Sequence, residues 1–197
     1  MRDFDPPPSK VNAFLSLGLI ESANPLNVRP MAIQPFDLTT SIASPRSDEA
    51  HALISDSRRE MQRVYDVTEC VQYSDDEFAQ PNVQFIIARL DGEAVGCVAL
   101  VDCVSYGEVK GFYVKPQARK NGVGSALLGA VFKACRDVGL GTIRLETGDK
   151  LQSAIALYQR YGFENRGPFG SYSENDTSVF MEWHPALLQA SRARTMA

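Results

Sequence analysis

The apolar positions of this chain change period along its length, and the changes mark out its elements. Ala50, Leu53, Ile54, Met61, Val64 and Tyr65 recur at helical spacing. Ser47, followed by Asp48 and Glu49, supplies an N-cap and an acidic first turn, so a helix is predicted to begin there. A strand is expected before it, from about Phe36 to Ala43. Val83 to Leu90 and Glu93 to Val101 read as strands joined by the strong hairpin turn Asp91-Gly92. Glu108 to Lys115 adds a third strand, rich in β-branched and aromatic residues, and completes an antiparallel meander. From Gly122 to about Val138 the period lengthens again. Val123, Leu127, Ala130, Val131, Ala134 and Val138 fall on a face expected to be buried, and Gly139 stops the helix. A strand at Thr142 to Thr147 is then reached by a β-α-β crossover, which predicts that it runs parallel to its predecessor. After a helix centred on Leu157, Phe163 to Pro168 and Ser178 to Trp183 read as a closing antiparallel pair. The expected fold class is a mixed α/β sandwich with no internal repeat.

The ends differ from this body. Residues 1–34 are expected to be an irregular or short-helical extension: Pro6-Pro7-Pro8 is stiff, the apolar decamer Val11 to Ile20 follows, and Asn24-Pro25 and Arg29-Pro30 prevent a long helix. Residues 35–184 form the expected domain and 185–197 a tail. The decamer resembles a short signal core, yet Asp3, Asp5 and three prolines precede it and no clean cleavage site follows. A cytoplasmic protein is expected, with the decamer packed on a neighbouring surface or on a partner subunit, which leaves a homodimer open. No run approaches a membrane span.

With 197 residues, 44% of them hydrophobic, the chain is long enough for one domain with a real core. Its net charge of −4 argues against a nucleic-acid binder. The charge is uneven: Tyr106 to Arg166 holds 10 Lys and Arg against 5 Asp and Glu, leaving 10 against 19 elsewhere. That division suits an anionic cofactor and a cationic amine substrate, and equally an accident of solvated faces. Cys70, Cys97, Cys103 and Cys135 show no metal spacing with one another or with His51 and His184. No metal is expected, and the cysteines read as buried reduced thiols.

The candidate chemistry centres on the run Val114-Lys115-Pro116-Gln117-Ala118-Arg119-Lys120-Asn121-Gly122-Val123-Gly124-Ser125-Ala126, a strand entering a Gly-rich turn that opens a helix. Such a turn leaves backbone N–H groups free at the positive end of the helix dipole, with Arg119 and Lys120 at its lip, an arrangement suited to a pyrophosphate. It lacks the Gly-Lys-Ser/Thr of a Walker loop and the third glycine of a dinucleotide fingerprint. Arg119 to Gly124 resembles the acyl-CoA-binding motif Arg/Gln-x-x-Gly-x-Gly/Ala of the GCN5-related N-acetyltransferase (GNAT) superfamily. Downstream, Ala154-Ile155-Ala156-Leu157-Tyr158-Gln159-Arg160-Tyr161-Gly162-Phe163 resembles its second signature, in the right order and at the usual distance. The resemblance covers about Phe85 to Trp183. Leu145-Glu146-Thr147-Gly148 and Pro168-Phe169-Gly170-Ser171-Tyr172 look like a bacterial branch with small-molecule or unassigned substrates.

The resemblance implies a mostly antiparallel sheet with one splayed parallel strand pair, and acetyl-CoA as acyl donor with no metal. The pantetheine arm is expected along the backbone of Phe112, Tyr113 and Val114. Gly122 and Gly124 would let the chain approach the pyrophosphate, Arg119 and Lys120 would pair with its oxygens, and Asn121, Val123 and Ser125 would supply N–H groups. The matching tyrosine, Tyr158, would protonate the departing thiolate, whose ordinary pKa of about 8.5 makes it a ready acceptor; the alternative is a core tyrosine capped by a carbonyl. Glu108 and Glu146 are the candidate bases, each equally open to a plain salt bridge with Lys110 or Arg144. Phe169 and Tyr172 would cap the acceptor site. Asp66, Glu69, Asp75, Asp76 and Glu77 either draw in an amine or form a solvated loop. One departure stands out: Leu151 occupies a position where members usually carry Asn or Gln, so that cofactor contact is absent or passes to Gln152 or Lys150. The expected activity is acetyl transfer to a primary amine of a small molecule, amino acid or peptide. The alternative is an acyl-CoA-binding sensor or interaction module without turnover.

Overall fold

The parallel pair expected from the crossover forms and then comes apart. In the computed structural model, which describes residues 36–65 and 74–184, β4 (Gly107–Val114) and β5 (Ile143–Gly148) pair only through Gly107 with Ile143, Glu108 with Arg144 and Val109 with Leu145. Beyond Val109 the strands have no further ladder partners in each other, so the backbone of β4 from Lys110 to Val114 faces a gap on that side. Every other pairing in the seven-stranded sheet is antiparallel. Its order is β1 (Leu38–Ile42), β2 (Val83–Leu90), β3 (Glu93–Asp102), β4, β5, β7 (Ser178–Trp183), β6 (Glu164–Arg166). The expected closing pair is present, with β7 inserted between β5 and β6.

Two apolar layers cover the sheet. On one face α3 (Val123–Asp137) packs against β1 to β4, in a core containing Leu127, Leu128, Val131, Ile143, Leu145, Met181 and Tyr158 of α4 (Gln152–Arg160). The other core collects Ala50, Leu53 and Ile54 of α1 (Asp48–Val64) with Phe78, Phe85, Ile87 and Cys97. Ser47 caps α1 as expected, its side chain accepting from the Ala50 N–H. Val138 does not belong to the buried face: it is the C-cap of α3 and stands 42% exposed, whereas Leu128, absent from the expected stripe, is fully buried. The last turn has ended before Val138 can follow the helical period. Cys97 and Cys135 are buried as expected, but Cys103 is only half-buried.

The acidic stretch before β2 is more ordered than a loop. Asp75–Phe78 forms a short helix, α2, opened by a reciprocal capping box between Ser74 and Glu77. Asp75 is engaged by His51 and Arg58, so it is not open to attract an amine. Asp66, Glu69, Cys70, the 1–34 extension and the 185–197 tail lie outside the described residues.

A close approach fixes the junction from β5 to α4. Tyr65, at the end of α1, donates its hydroxyl proton to Asp149 Oδ1 at 3.0 Å and accepts from the Lys150 backbone N–H at 2.7 Å. A β-carbon on Gly148 would lie 2.1 Å from the Tyr65 hydroxyl oxygen and 2.5 Å from Cζ. Gly148→Ala is therefore expected to destabilise the fold by roughly 1–3 kcal/mol, the usual range for overpacking. Thermal unfolding measures it, and an unchanged melting temperature would show that the ring shifts without cost.

Candidate functional site

After β4 the chain makes a 3₁₀ turn, Pro116–Ala118, and enters the Gly-rich loop. Lys120 and Gly122 adopt left-handed backbone conformations, φ 66° and 82°, on either side of Asn121; a glycine at 122 takes this geometry without strain. Gly122 is the N-cap of α3 and brings no side chain to the cap. The first helical N–H to find a carbonyl is that of Ala126, bonded to Gly122 at 2.9 Å. The N–H groups of Val123, Gly124 and Ser125 therefore have no intrahelical acceptor. The Val123 side chain is buried in the core, so Val123 can offer only its backbone here. Asn121 is exposed at the tip of the turn.

These N–H groups sit at one end of a cleft of about 800 Å³ that follows the gap between β4 and β5. Phe112, Tyr113 and Val114 line it on one side, Glu146, Thr147 and Gly148 on the other, with Leu157 and Tyr158 of α4 beside them. Arg119, Lys120, Gly122, Gly124 and Ser125 also line it. The Arg119 guanidinium is engaged within the protein. It grips both carboxylate oxygens of Glu60 at 2.7 Å and donates from Nε to the Val114 carbonyl at 3.0 Å. Lys120 makes no ion pair among the described residues. Arg160, not singled out by the sequence motifs, joins the same end, with its Nη2 3.4 Å from Ser125 Oγ. Its place in the last turn of α4 was readable from the helical register, but its proximity to Ser125, 35 residues away in the chain, was not.

Leu151 is the N-cap of α4 and also lines the cleft. Neither proposed substitute for it does: Gln152 donates to the Asp149 carbonyl, and Lys150 lies over the Tyr65 ring. Ser153 is the polar side chain that reaches the cleft there.

Tyr158 is 3% exposed and packs edge-on to Phe112, with ring centroids 5.7 Å apart. Among the described residues its hydroxyl makes no hydrogen bond, so it is not a core tyrosine capped by a carbonyl. Burial, and then the charge of Glu146, push its pKa above the ordinary phenol range. Glu146 accepts a hydrogen bond from Ser178 Oγ at 2.6 Å and forms no ion pair among the described residues. The alternative pairing with Arg144 does not occur, because Arg144 donates to Glu182 at 2.7 Å and lies 4.3 Å from the Tyr106 ring centre.

Glu108 is set deeper. Its side chain is 7% exposed, pairs with Lys110 Nζ at 2.9 Å and accepts from the Tyr172 hydroxyl at 2.8 Å. Lys110 and Tyr172 line the cleft, and Glu108 does not. The salt bridge with Lys110 is therefore the arrangement found for Glu108. Phe169 corrects a further expectation. It is 5% exposed, enclosed by Tyr106, Tyr172 and Phe180, and lies off the cleft. Its ring has an aromatic cluster to fill, and Tyr172 is the residue of this loop that lines the cleft.

The sequence model described as the acetyltransferase (GNAT) family matches residues 49–163. Over 148 residues the chain is 36% identical to the IAA acetyltransferase of Azospirillum brasilense, covering 74% of this chain and 97% of that one. It is 31% identical over 104 residues to the uncharacterized N-acetyltransferase YsnE of Bacillus subtilis (strain 168), covering 51% and 69%. Among solved structures, a Klebsiella pneumoniae protein assigned as an acyl-CoA N-acyltransferase superposes with a TM-score of 0.63 at 34% identity, over 75% of this chain and 97% of that one. The PaiA N-acetyltransferase of Thermoplasma acidophilum, solved with coenzyme A, shares the fold at a TM-score of 0.60 and 18% identity, over 75% and 99%.

Proposed function

The chain belongs to the acetyltransferase (GNAT) family, and from that premise we propose that it transfers the acetyl group of acetyl-CoA directly to a primary amine of a small molecule, amino acid or peptide. The observation that carries this reading is the meeting, in one cleft, of a phenol and a carboxylate that have, among the described residues, no hydrogen-bond partner and no cation respectively. These are Tyr158 and Glu146, found where the gap between β4 and β5 leads away from the Gly-rich turn. The residues present fit the donor. Three N–H groups at the start of α3, with Lys120 and Arg160, suit its phosphates. The backbone of Phe112 to Val114, paired with β3 but not with β5, suits its extended amide-bearing arm. Bound there, the donor supplies an activated acyl group on a good leaving thiolate.

The chain's residues then divide the proton work. Glu146 is the base, directly or through one water: as the amine nitrogen forms its bond to the acyl carbon, Glu146 takes the proton that nitrogen must lose. As the C–S bond breaks, the Tyr158 hydroxyl gives its proton to the sulfur, and the proton held by Glu146 restores the phenol. Its raised pKa keeps Tyr158 protonated at neutral pH, so the donor form is the resting form. Glu108 has a supporting place in this scheme, holding Lys110 and the Tyr172 hydroxyl at the acceptor wall.

The experiment is a screen of free-thiol release from acetyl-CoA against an amine library, with acetylated products identified by mass spectrometry. Amine-dependent thiol release is the expected result. Tight acetyl-CoA binding without release for any amine would favour the sensor alternative.

A further inference from the structure

The cleft has an apolar end that the proton chemistry does not use. In the β3–β4 ladder, Cys97 pairs with Tyr113 and Ala99 with Lys110. Gly111 and Phe112 therefore oppose the single residue Val98, a β-bulge. Gly111 sits there with φ 59°, and the Phe78 ring lies on it: a β-carbon at Gly111 would be 2.7 Å from Phe78 Cζ. Phe78 is 4% exposed and tilted against Phe85 at 5.5 Å. It is the last residue of α2, whose capping box holds that one-turn helix in place. Ile54 and the fully buried Cys97, whose thiol donates to the Gly111 carbonyl at 3.6 Å, complete this end.

We propose that Phe78 sets the length of the acyl group this enzyme accepts, admitting acetyl and turning away longer straight-chain acyl thioesters. The inference rests on the reading above that β4 carries the donor. Under that reading the residues of β4 rank the donor's parts in order. The Gly-rich turn follows Val114, and Tyr158 stands beside Phe112, where the sulfur would be. One residue further on, at the bulge, the acyl carbon would face Gly111 with the Phe78 ring against it. An acetyl methyl ends there. Two more methylenes would have to displace an aromatic ring wedged between Gly111 and Phe85, and packed side chains yield poorly to added volume.

The test measures calorimetric affinity of the full chain for CoA, acetyl-CoA, butyryl-CoA and hexanoyl-CoA, with kcat/KM for the same thioesters on any amine the screen identifies. The wild-type chain is expected to prefer acetyl-CoA over butyryl-CoA by at least tenfold. Phe78→Ala is expected to raise butyryl-CoA relative to acetyl-CoA by at least tenfold while leaving affinity for CoA, which has no acyl group, unchanged. Phe78→Leu keeps an apolar side chain in the core, is expected to shift the ratio in the same direction by a smaller factor, and decides the matter if the alanine variant does not fold. Equal use of acetyl-CoA and butyryl-CoA by the wild type, or an unchanged ratio in a folded variant, overturns the proposal and leaves the acetyltransferase reading intact. Failure of the wild-type chain to bind any of the thioesters would instead remove the donor reading, and the role of Phe78 with it.

Discussion

Gly124→Glu is expected to lower acetyl-CoA affinity by at least tenfold, a loss of about 1.4 kcal/mol or more. Position 124 is the second residue of α3, and its N–H is one of three without an intrahelical acceptor at the head of the cleft. A β-carbon there would come within 3.1 Å of Leu157 Cδ2 and 3.8 Å of Phe112 Cζ. The start of α3 is thus pressed against α4 and β4, with little room inward. A glutamate side chain must extend toward the N–H groups, where its carboxylate would occupy the site of a phosphate and repel the next one. Gly124→Ala separates the two causes. It adds the tight contact with Leu157 without the charge, so its affinity is expected to fall less than that of Gly124→Glu. Calorimetry gives the affinities, and unchanged acetyl-CoA binding by a folded Gly124→Glu protein would remove the phosphate cradle from this account.

Tyr158→Phe is expected to reduce kcat by roughly 10²–10⁴-fold, the range for loss of a general acid, with acetyl-CoA affinity nearly unchanged. The hydroxyl is needed only as the C–S bond breaks, so its removal is felt in the transition state and not in the ground state. The ring itself stays, packed between Phe112 and Phe163. Stability is expected to hold, because among the described residues the hydroxyl makes no hydrogen bond that the substitution would remove. The pH behaviour follows from the sign of the shift. Burial and Glu146 raise the folded-state pKa of Tyr158. Keeping the phenol neutral thus costs the fold nothing below the ordinary phenol value of about 10, and stability falls as pH rises from there through the folded value. The phenol therefore remains a proton donor across the neutral range, and an activity change between about pH 6 and 9 would have to come from another group. A fall in kcat of less than tenfold would mean that the thiolate leaves unaided. Tyr172 is a poor substitute acid, because its hydroxyl is already donated to Glu108.

The local order of this protein was legible in the chain because short-range chemistry decides it. Ser47 before two acidic residues caps a helix wherever it stands, Asp91-Gly92 turns a hairpin, and Arg-x-x-Gly-x-Gly leaves N–H groups at a helix start. Each signal lies within a few residues, and the structure contains all three features. The crossover rule extended this to one long-range fact, the parallel run of β5 beside β4. Tertiary packing decided which charges stay available. Arg119 is held by Glu60, Glu108 by Lys110 and Tyr172, and Arg144 by Glu182, while Glu146, which lines the cleft and accepts from Ser178, forms no ion pair among the described residues. Glu60 and Arg119 are 59 residues apart and Arg144 and Glu182 are 38 apart, so no local pattern sets these pairings. They follow from which strand faces and helix turns the fold brings together. The same holds for Phe169 and Phe78, both apolar and both near the site in sequence or in space. One fills an aromatic cluster with Tyr172 and Phe180, and the other closes the apolar end of the cleft, because burial of an aromatic ring depends on the neighbours that enclose it and not on its own position in the chain.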